Sequence, residues 1–329
     1  MSKIKILCTG SGGFIFSNFV RQVLKLNPPS IKAKYEVIGV DKCVLPKVLN
    51  TIYTNKGHRF HIGDVVDKHF MNVIFELERP DIVIHGAAES FVDDSITDAT
   101  KFVRTNVEGT QVIIDMCVKW DVKRCVYISA NHVYGHLTSE DEPAWNENTV
   151  LNPRNPCSAT KAAGEMLIKA AHETYGLPYN IIRACNNYGP RQPVRNLIPK
   201  IIANINHDQP VPIYGQGMQI RDWIHVQDNC SAIIKIIEDA PLNEIYNVSA
   251  KQEYTNIEVF HEVCNILGRG HSLLKFVDDR KGHDFRYSAD NTKLLKLGWE
   301  PKFKFKPGIE HTIDWYMKNT WFMKDIECV

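Results

Sequence analysis

Through the first half of the chain, short apolar runs rich in β-branched residues alternate with longer amphipathic stretches. This alternation predicts βαβ units wound into a parallel sheet. The apolar runs place strands at residues 5–8, 36–41, 81–85, 124–129 and 180–184, and helical spacing fills the gaps at about residues 14–26, 68–77, 99–120 and 158–175. The expected fold is α/β, a doubly wound parallel sheet with helices on both faces. After Gly189-Pro190 the elements become shorter and are punctuated by Pro and Gly, as in Pro210-Val211-Pro212-Ile213-Tyr214-Gly215. The change predicts a smaller C-terminal lobe over 191–329, after a first domain over 1–190.

Composition narrows the partners. The 329 residues carry 39 Lys+Arg against 38 Asp+Glu, with 44% hydrophobic and 23% charged residues, which fits a globular chain and excludes disorder, collagen and coiled coil. A net charge of +1 with both signs scattered gives no footprint for nucleic acid or an anionic membrane, so the expected partner is a small molecule. No stretch approaches the roughly 20 apolar residues of a membrane span, and the N-terminus runs straight into a strand without a signal peptide. The nine cysteines (8, 43, 117, 125, 157, 185, 230, 264 and 328) are spread singly, which predicts buried thiols in a reducing cytosol. His58, His61, Asp64, Asp67 and His69 show no ligand spacing, so no metal is expected.

Two segments carry candidate chemistry. Cys8-Thr9-Gly10-Ser11-Gly12-Gly13-Phe14-Ile15-Phe16 lies between a predicted strand and a predicted helix. A glycine-rich turn there lets backbone N–H groups approach a pyrophosphate at the helix N-terminus, with a bare tight turn as the alternative. Asp41 ends the next strand, where a carboxylate accepts hydrogen bonds from an adenosine ribose, and this favours NAD over NADP. Gly63-Asp64-Val65 and Gly86-Ala87-Ala88 follow at the ends of later strands, where a dinucleotide lies across the sheet, and Lys42 is read either as covering the adenine or as a solvated strand-end lysine. The second segment is Asn155-Pro156-Cys157-Ser158-Ala159-Thr160-Lys161, in which Cys157 and Lys161 share one helical face. It is read together with Ser129-Ala130-Asn131-His132 at the carboxyl end of another strand, where open α/β sheets bind ligands.

With Ala87-Ala88-Glu89-Ser90, Thr105-Asn106, Asn186-Asn187-Tyr188-Gly189-Pro190, Leu197-Ile198-Pro199, Ile213-Tyr214-Gly215, Gln219-Ile220-Arg221-Asp222-Trp223, Tyr246-Asn247, Gly282-His283-Asp284 and Arg286-Tyr287, the chain resembles the extended short-chain dehydrogenase/reductases, which implies that Thr105 belongs to the NAD groove. Within them it is most similar to the dTDP-glucose 4,6-dehydratases, over nearly its whole length. The resemblance implies a Rossmann-type domain holding NAD, a C-terminal lobe holding a nucleotide-diphosphate sugar, and a cytoplasmic homodimer. Its candidate seams are the helices near 99–120 and 158–175. It further implies that Ser90, Ala130, Asn187, Asn196, Leu197, Ile213, Tyr214, Arg221, Asn247, Arg286 and Tyr287 face the nucleotide sugar. The implied reaction oxidises C4 of the glucose, eliminates water across C5 and C6, and returns the hydride to C6.

The catalytic positions depart from that family. It has Thr-Asp-Glu where this chain has Ala130, Asn131 and His132, and Tyr where this chain has Cys157. Only Lys161 and Ser129 remain. Other departures are Phe16 for Gly, Phe91 for His, Asp94 for Arg, Arg195 for Glu and Asn196 for Lys. An amide at 131 cannot act as an acid, whereas an imidazole at 132 can accept a proton. Cys157 is read either as a thiolate favoured by Lys161 or as a small apolar filler of the space left by Tyr. Three functions follow: a dehydratase-like protein with degraded catalytic positions, an inactive binding or scaffold relative, or an epimerase acting at C3 or C5 through His132. Phe16 is expected to push the glycine turn outward or be absorbed by repacking.

Overall fold

The structure is a computed structural model and describes residues 3–25, 34–42 and 57–327. Cys43, Cys328 and the expected helix end at Leu26 lie outside the described residues. In chain order the strands are β1 (Ile4–Thr9), β2 (Tyr35–Asp41), β3 (His58–Ile62), β4 (Ile82–His85), β5 (Arg124–Ala130), β6 (Tyr179–Ala184), β7 (Asn186–Tyr188), β8 (Val211–Tyr214), β9 (Ile220–His225), β10 (Glu244–Val248), β11 (Glu253–Thr255) and β12 (Leu274–Val277). Seven of them form a parallel sheet in the order β10-β6-β5-β4-β1-β2-β3.

Both faces of this sheet are covered, which is why its strands read as unbroken apolar runs. Alternate side chains go to opposite faces. Ile6, Cys8, Val37, Ile84 and Val126 pack with Phe16, Phe19 and Val20 of the helix Phe14–Lys25 and with Ile233 and Ile236 of the helix Val226–Asp239. Leu7, Ile38, Val83, Cys125 and Ile181 pack under the helices Lys68–Glu78, Gly109–Lys119 and Pro156–Tyr175. A third core, built on Tyr188, Ile201, Trp223, Phe260 and Phe305, belongs to the smaller lobe with the sheets β11-β9-β7 and β12-β8.

Two sequence expectations shift. Strand β10 and the helix Val226–Asp239 return from the second half of the chain to complete the first sheet and cover it. A single cut at residue 190 therefore does not separate the two cores. The helix expected over 99–120 is interrupted by a π-helical turn, Val103–Glu108, between Thr100–Phe102 and Gly109–Lys119. Such wide turns recur at functional sites, and this one carries Thr105 and Asn106. His58 and His61, in β3, serve different neighbours, because His61 Nε2 lies 2.8 Å from Glu78 while His58 lies beside Gly39. Among the described residues no helix is long and apolar enough to cross a membrane.

The sheet's winding reverses beside β1, which lies between β4 and β2. A crevice opens at the carboxyl ends of the strands at such a point.

Candidate active site

The glycine-rich turn is built from β1. Gly10 has φ +71°, and a Cβ there would stand 2.8 Å from the backbone nitrogen of Ala87, so both the conformation and the close approach require glycine. The turn is closed by Gly10 N–H to the Val40 carbonyl at 2.8 Å and Gly13 N–H to the Gly10 carbonyl at 3.0 Å. The Asp41 carboxylate accepts from Gly12 N–H at 2.8 Å, which fixes it at the mouth of the turn. Beneath lies a buried polar relay. The Thr9 hydroxyl is 2.7 Å from His85 Nδ1 and accepts from the N–H groups of Gly86 and Ala87 at 3.2 Å, while His85 Nε2 reaches Thr110 Oγ1 at 3.0 Å. Burial lowers the His85 pKa to about 3, so the ring is neutral.

Phe16 does not push the turn outward. Its ring is buried over Gly86, with one edge carbon 2.0 Å from where a Cβ on residue 86 would stand, and packs edge-on to Phe19 at 5.7 Å. A large side chain at 16 is accommodated because residue 86 has none. Gly86→Ala is therefore expected to destabilise the chain by about 1–3 kcal/mol through overpacking, and Phe16→Ala in that background to recover part of the loss. Urea unfolding of the two variants measures this; equal stability of Gly86→Ala and the unmodified chain would refute the size pairing.

A cleft of about 590 Å³ runs from this turn along the strand ends. It is lined at one end by Gly10, Gly13, Phe14, Ile15, Asp41 and Lys42, with Asp64, Val65, Ala87, Ala88 and Thr105 along its walls. At the other end stand Ser90, Ser129, Ala130, His132, Cys157, Lys161 and Asn196. The two separate sequence segments thus meet in one groove. Glu89, which the sequence reading left unassigned, also lines it and pairs with Lys42 at 2.8 Å. Asn106, in the π-helical turn, holds the Glu89 backbone through both its amide and its carbonyl oxygen and reaches Thr160 Oγ1 at 3.0 Å. The signal available for both was their place in the segments 87–90 and 105–106.

At the catalytic end, the helix Pro156–Tyr175 begins where Asn155 Oδ1 accepts from Ser158 N–H at 2.9 Å with Pro156 in the first turn. This start carries Cys157 into the cleft wall, with Sγ 4.0 Å from the Glu89 carbonyl. Burial pushes its thiol up to about 11, outweighing the opposite pull of Lys161 and Arg280. The thiolate reading is corrected: near neutral pH Cys157 is a buried thiol filling space. Lys161 donates to the Ile128 carbonyl at 2.7 Å, and burial brings its pKa down to about 8. His132 is lowered to about 4 by burial and by the cations Lys161, Arg221 and Arg280, so its ring is neutral, and its buried Nδ1 has no hydrogen-bond partner. Asn131 does not line the cleft. Its amide turns inward to Cys185 Sγ at 3.4 Å, and Cys185 in turn contacts Asp222, whose carboxyl burial pushes up to about 6.

Several residues expected to face the sugar nucleotide are spent within the protein. Arg286 pairs with Glu253 at 2.6 Å and donates to the carbonyls of Ser139 and Glu142, because it ties the 139–142 loop to β11. Asn247 is fully buried, donating to the carbonyls of Trp145 and Asp290 and accepting from the Tyr134 hydroxyl. Ile213 belongs to the third core, and Tyr287 is buried with its ring 4.3 Å from the Arg221 guanidinium. Arg221 gives three hydrogen bonds to the carbonyls of Ile220, Phe285 and Asp284, and its positive charge acts at His132 from behind the wall. Asn187 donates to the Cys185 carbonyl at 2.9 Å while its Oδ1 is buried without a partner. Leu197 opens a helix beside Asn196, and Tyr214 is exposed near His283. Arg280 was missed by the sequence reading. It lies 3.5 Å from Asp93 and depresses the pKa of both His132 and Cys157.

Comparison with known proteins agrees with this geometry. Residues 6–249 match the model of the NAD dependent epimerase/dehydratase family. The chain belongs to that family. It is 38% identical to the low-salt glycan biosynthesis protein Agl12 of Haloferax volcanii, over 95% of this chain and 98% of that one. It is also 38% identical to the dTDP-glucose 4,6-dehydratase of Streptomyces niveus, over 96% and 94% of the two chains. Among solved structures, the chain is similar to the dTDP-glucose 4,6-dehydratase DesIV of Streptomyces venezuelae with NAD and TYD bound. It superposes with a TM-score of 0.91 at 38% identity, covering 97% of this chain and 98% of that one. A UDP-glucose 4-epimerase of Thermotoga maritima with UDP-glucose matches at a TM-score of 0.88 and 27% identity, covering 96% and 100%. The resemblance read from the sequence and the doubly wound fold are both borne out.

Proposed function

We propose that this chain binds NAD and a nucleotide-diphosphate sugar in the cleft, in the manner of a dTDP-glucose 4,6-dehydratase, and has lost most of that enzyme's proton-transfer chemistry. The cradle supports NAD on its own geometry: a backbone turn that admits only glycine at residue 10, and a carboxylate at Asp41 aimed across it. Asp41 would accept from the ribose hydroxyls and repel a 2′-phosphate, with Asp64 and Val65 beside the base and Lys161 at the far end. Bound NAD supplies a hydride acceptor for C4 and a hydride donor for C6.

The observation that carries the loss of turnover is the pairing of a buried thiol at 157 with an inward-turned amide at 131. Oxidation at C4 needs a base at the first position and loss of the C6 hydroxyl needs an acid at the second. Neither group serves. Reducing-compartment residence fits the free buried thiols, and exposed Val103 of the π-helical turn, Val118 of the helix Gly109–Lys119 and Met166 of the helix Pro156–Tyr175 suit a homodimer seam.

Mass spectrometry of ligands released from freshly purified protein, followed by calorimetric titration, tests the binding half. NAD is expected to bind at least about tenfold more tightly than NADP, and dTDP or UDP to bind as well. Tighter NADP binding would overturn the cofactor assignment, and absence of nucleotide binding would overturn the ligand class.

A second reading is favoured by His132, a neutral imidazole that lines the cleft and whose buried Nδ1 has no hydrogen-bond partner. A sugar that already carries a 4-keto group needs no base at 157, and its C3 or C5 proton could be taken by His132. Deuterium uptake from solvent into dTDP-4-keto-6-deoxyglucose would report this. Because the base must be unprotonated and its pKa is lowered to about 4, exchange is expected to stay level from pH 8 to about pH 5 and fall as pH drops through 4. A His132→Asn variant that exchanges as fast would exclude the reading.

A further inference from the structure

Three of the positions at which this chain departs from the dehydratases meet at one side chain, with Phe91 and Asp94 both contacting Arg195. They come from segments about 100 residues apart. The Arg195 guanidinium lies 4.2 Å from the Phe91 ring centre, and its Nη2 lies 2.7 Å from Asp94 Oδ1, with Lys101 at 3.8 Å on the other carboxylate oxygen. Phe91 itself lines the cleft, as does Asn196, the residue after Arg195. The short helix Val92–Thr97 therefore grips the 191–196 segment across the mouth of the groove, and its Asp93 reaches Arg280 of the 278–284 loop at 3.5 Å.

The chemistry of the replacements is concerted. Where the resemblance to the dehydratases implies Arg at 94 and Glu at 195, this chain has Asp and Arg, and the two opposite charges meet as an ion pair. Phe at 91 adds an aromatic face for the relocated guanidinium, a contact that the charge reversal makes favourable. A cleft wall that had simply drifted would leave one unpaired charge here, and like charges at this spacing would repel the segment from the mouth.

We propose that Phe91, Asp94 and Arg195 form a latch across the cleft mouth that holds the 191–196 segment and thereby sets affinity for the nucleotide end of the nucleotide-diphosphate sugar. The identity of that ligand rests on the function proposed above. The latch is a positioning device, since Arg195 is committed to Phe91 and Asp94 and Asn196 is presented to the groove by the segment it fixes. The dinucleotide end, built on Gly10 and Asp41, shares none of these residues.

The test titrates dTDP, UDP and NAD into the unmodified chain, Asp94→Arg, Arg195→Glu and the double variant, with amide hydrogen exchange followed over 191–196. Each single change places like charges together. It is expected to weaken nucleotide-diphosphate binding by roughly fivefold and to speed exchange in the segment, with NAD affinity constant. The double variant, which restores the pair in the opposite sense, is expected to recover binding to within about twofold and to slow exchange again. Unchanged nucleotide affinity in the single variants, parallel losses of NAD and nucleotide, or a double variant as weak as the product of the singles would each overturn the latch. If the unmodified chain binds neither dTDP nor UDP, the function proposed above fails along with the latch's ligand. Exchange across 191–196 then still decides whether the three residues close the segment.

Discussion

The triple variant Cys157→Tyr, Asn131→Asp, His132→Glu is expected to convert dTDP-glucose to its 4-keto-6-deoxy product at least about 100-fold faster than the unmodified chain, whose own rate should lie near the detection limit. Positioned acid–base groups contribute about 10² to 10⁴ each, and two of the three transfers now have no competent carrier. The surroundings suit the restored groups. A carboxyl at 131 acts as the acid only when turned from the inward position of Asn131 toward the cleft, and the buried Asp222 behind Cys185 disfavours a second negative charge there, which keeps the new group protonated. A carboxyl at 132 would face the positive charges of Lys161, Arg221 and Arg280, which hold it ionised, as a base must be. Lys161 is already in place to support a tyrosinate at 157. Product formation by coupled absorbance, with NAD content checked in each sample, measures the outcome. Robust dehydration by the unmodified chain would refute the loss of turnover. A triple variant that holds NAD and nucleotide but gains nothing would shift the defect to Phe91, Asp94 and Arg195.

The second large effect concerns stability. Glu165, on the helix Pro156–Tyr175, and Arg183, on β6, form an ion pair at 2.6 Å with 0% and 1% of their side chains exposed. Arg183 also donates to the Tyr134 hydroxyl at 2.7 Å and to the Glu147 carbonyl, so one guanidinium joins the catalytic helix, the sheet and the loop after β5. Glu165→Ala leaves that cation buried without its counter-charge and is expected to cost about 3–5 kcal/mol. With total stabilities of about 5–15 kcal/mol, the loss should be visible as a large drop in the urea midpoint. The double variant Glu165→Leu, Arg183→Met should recover much of it, since the cost lies in the unpaired charge. A Glu165→Ala midpoint unchanged within error would show that water reaches Arg183.

These residues also show where sequence reading succeeds and stops. The alternation of apolar runs and amphipathic stretches was enough for the doubly wound sheet, because a strand covered on both faces and a helix covered on one leave different local periods. The glycine turn, Asp41 and the Cys157–Lys161 face were legible for a similar reason: their place at a strand end or on a helix face is set by neighbours within a few positions. The family's motifs extended the reading to Ser90 and Asn196, both of which line the cleft.

What the tertiary structure alone decided is where each polar group spends its hydrogen bonds. Arg286 and Asn247 sit in recognisable motifs, yet Glu253 and buried carbonyls claim them. Phe16 looked like an intruder until Gly86 was seen beneath its ring, 70 positions along the chain. Burial, which depends on everything packed around a group, kept Cys157 a thiol despite the cations nearby, and acted together with those cations to make His132 a neutral imidazole. Local spacing fixes which groups can lie on one face. Long-range packing fixes which remain free to act, because desolvation and partner choice are sums over residues far apart in the sequence.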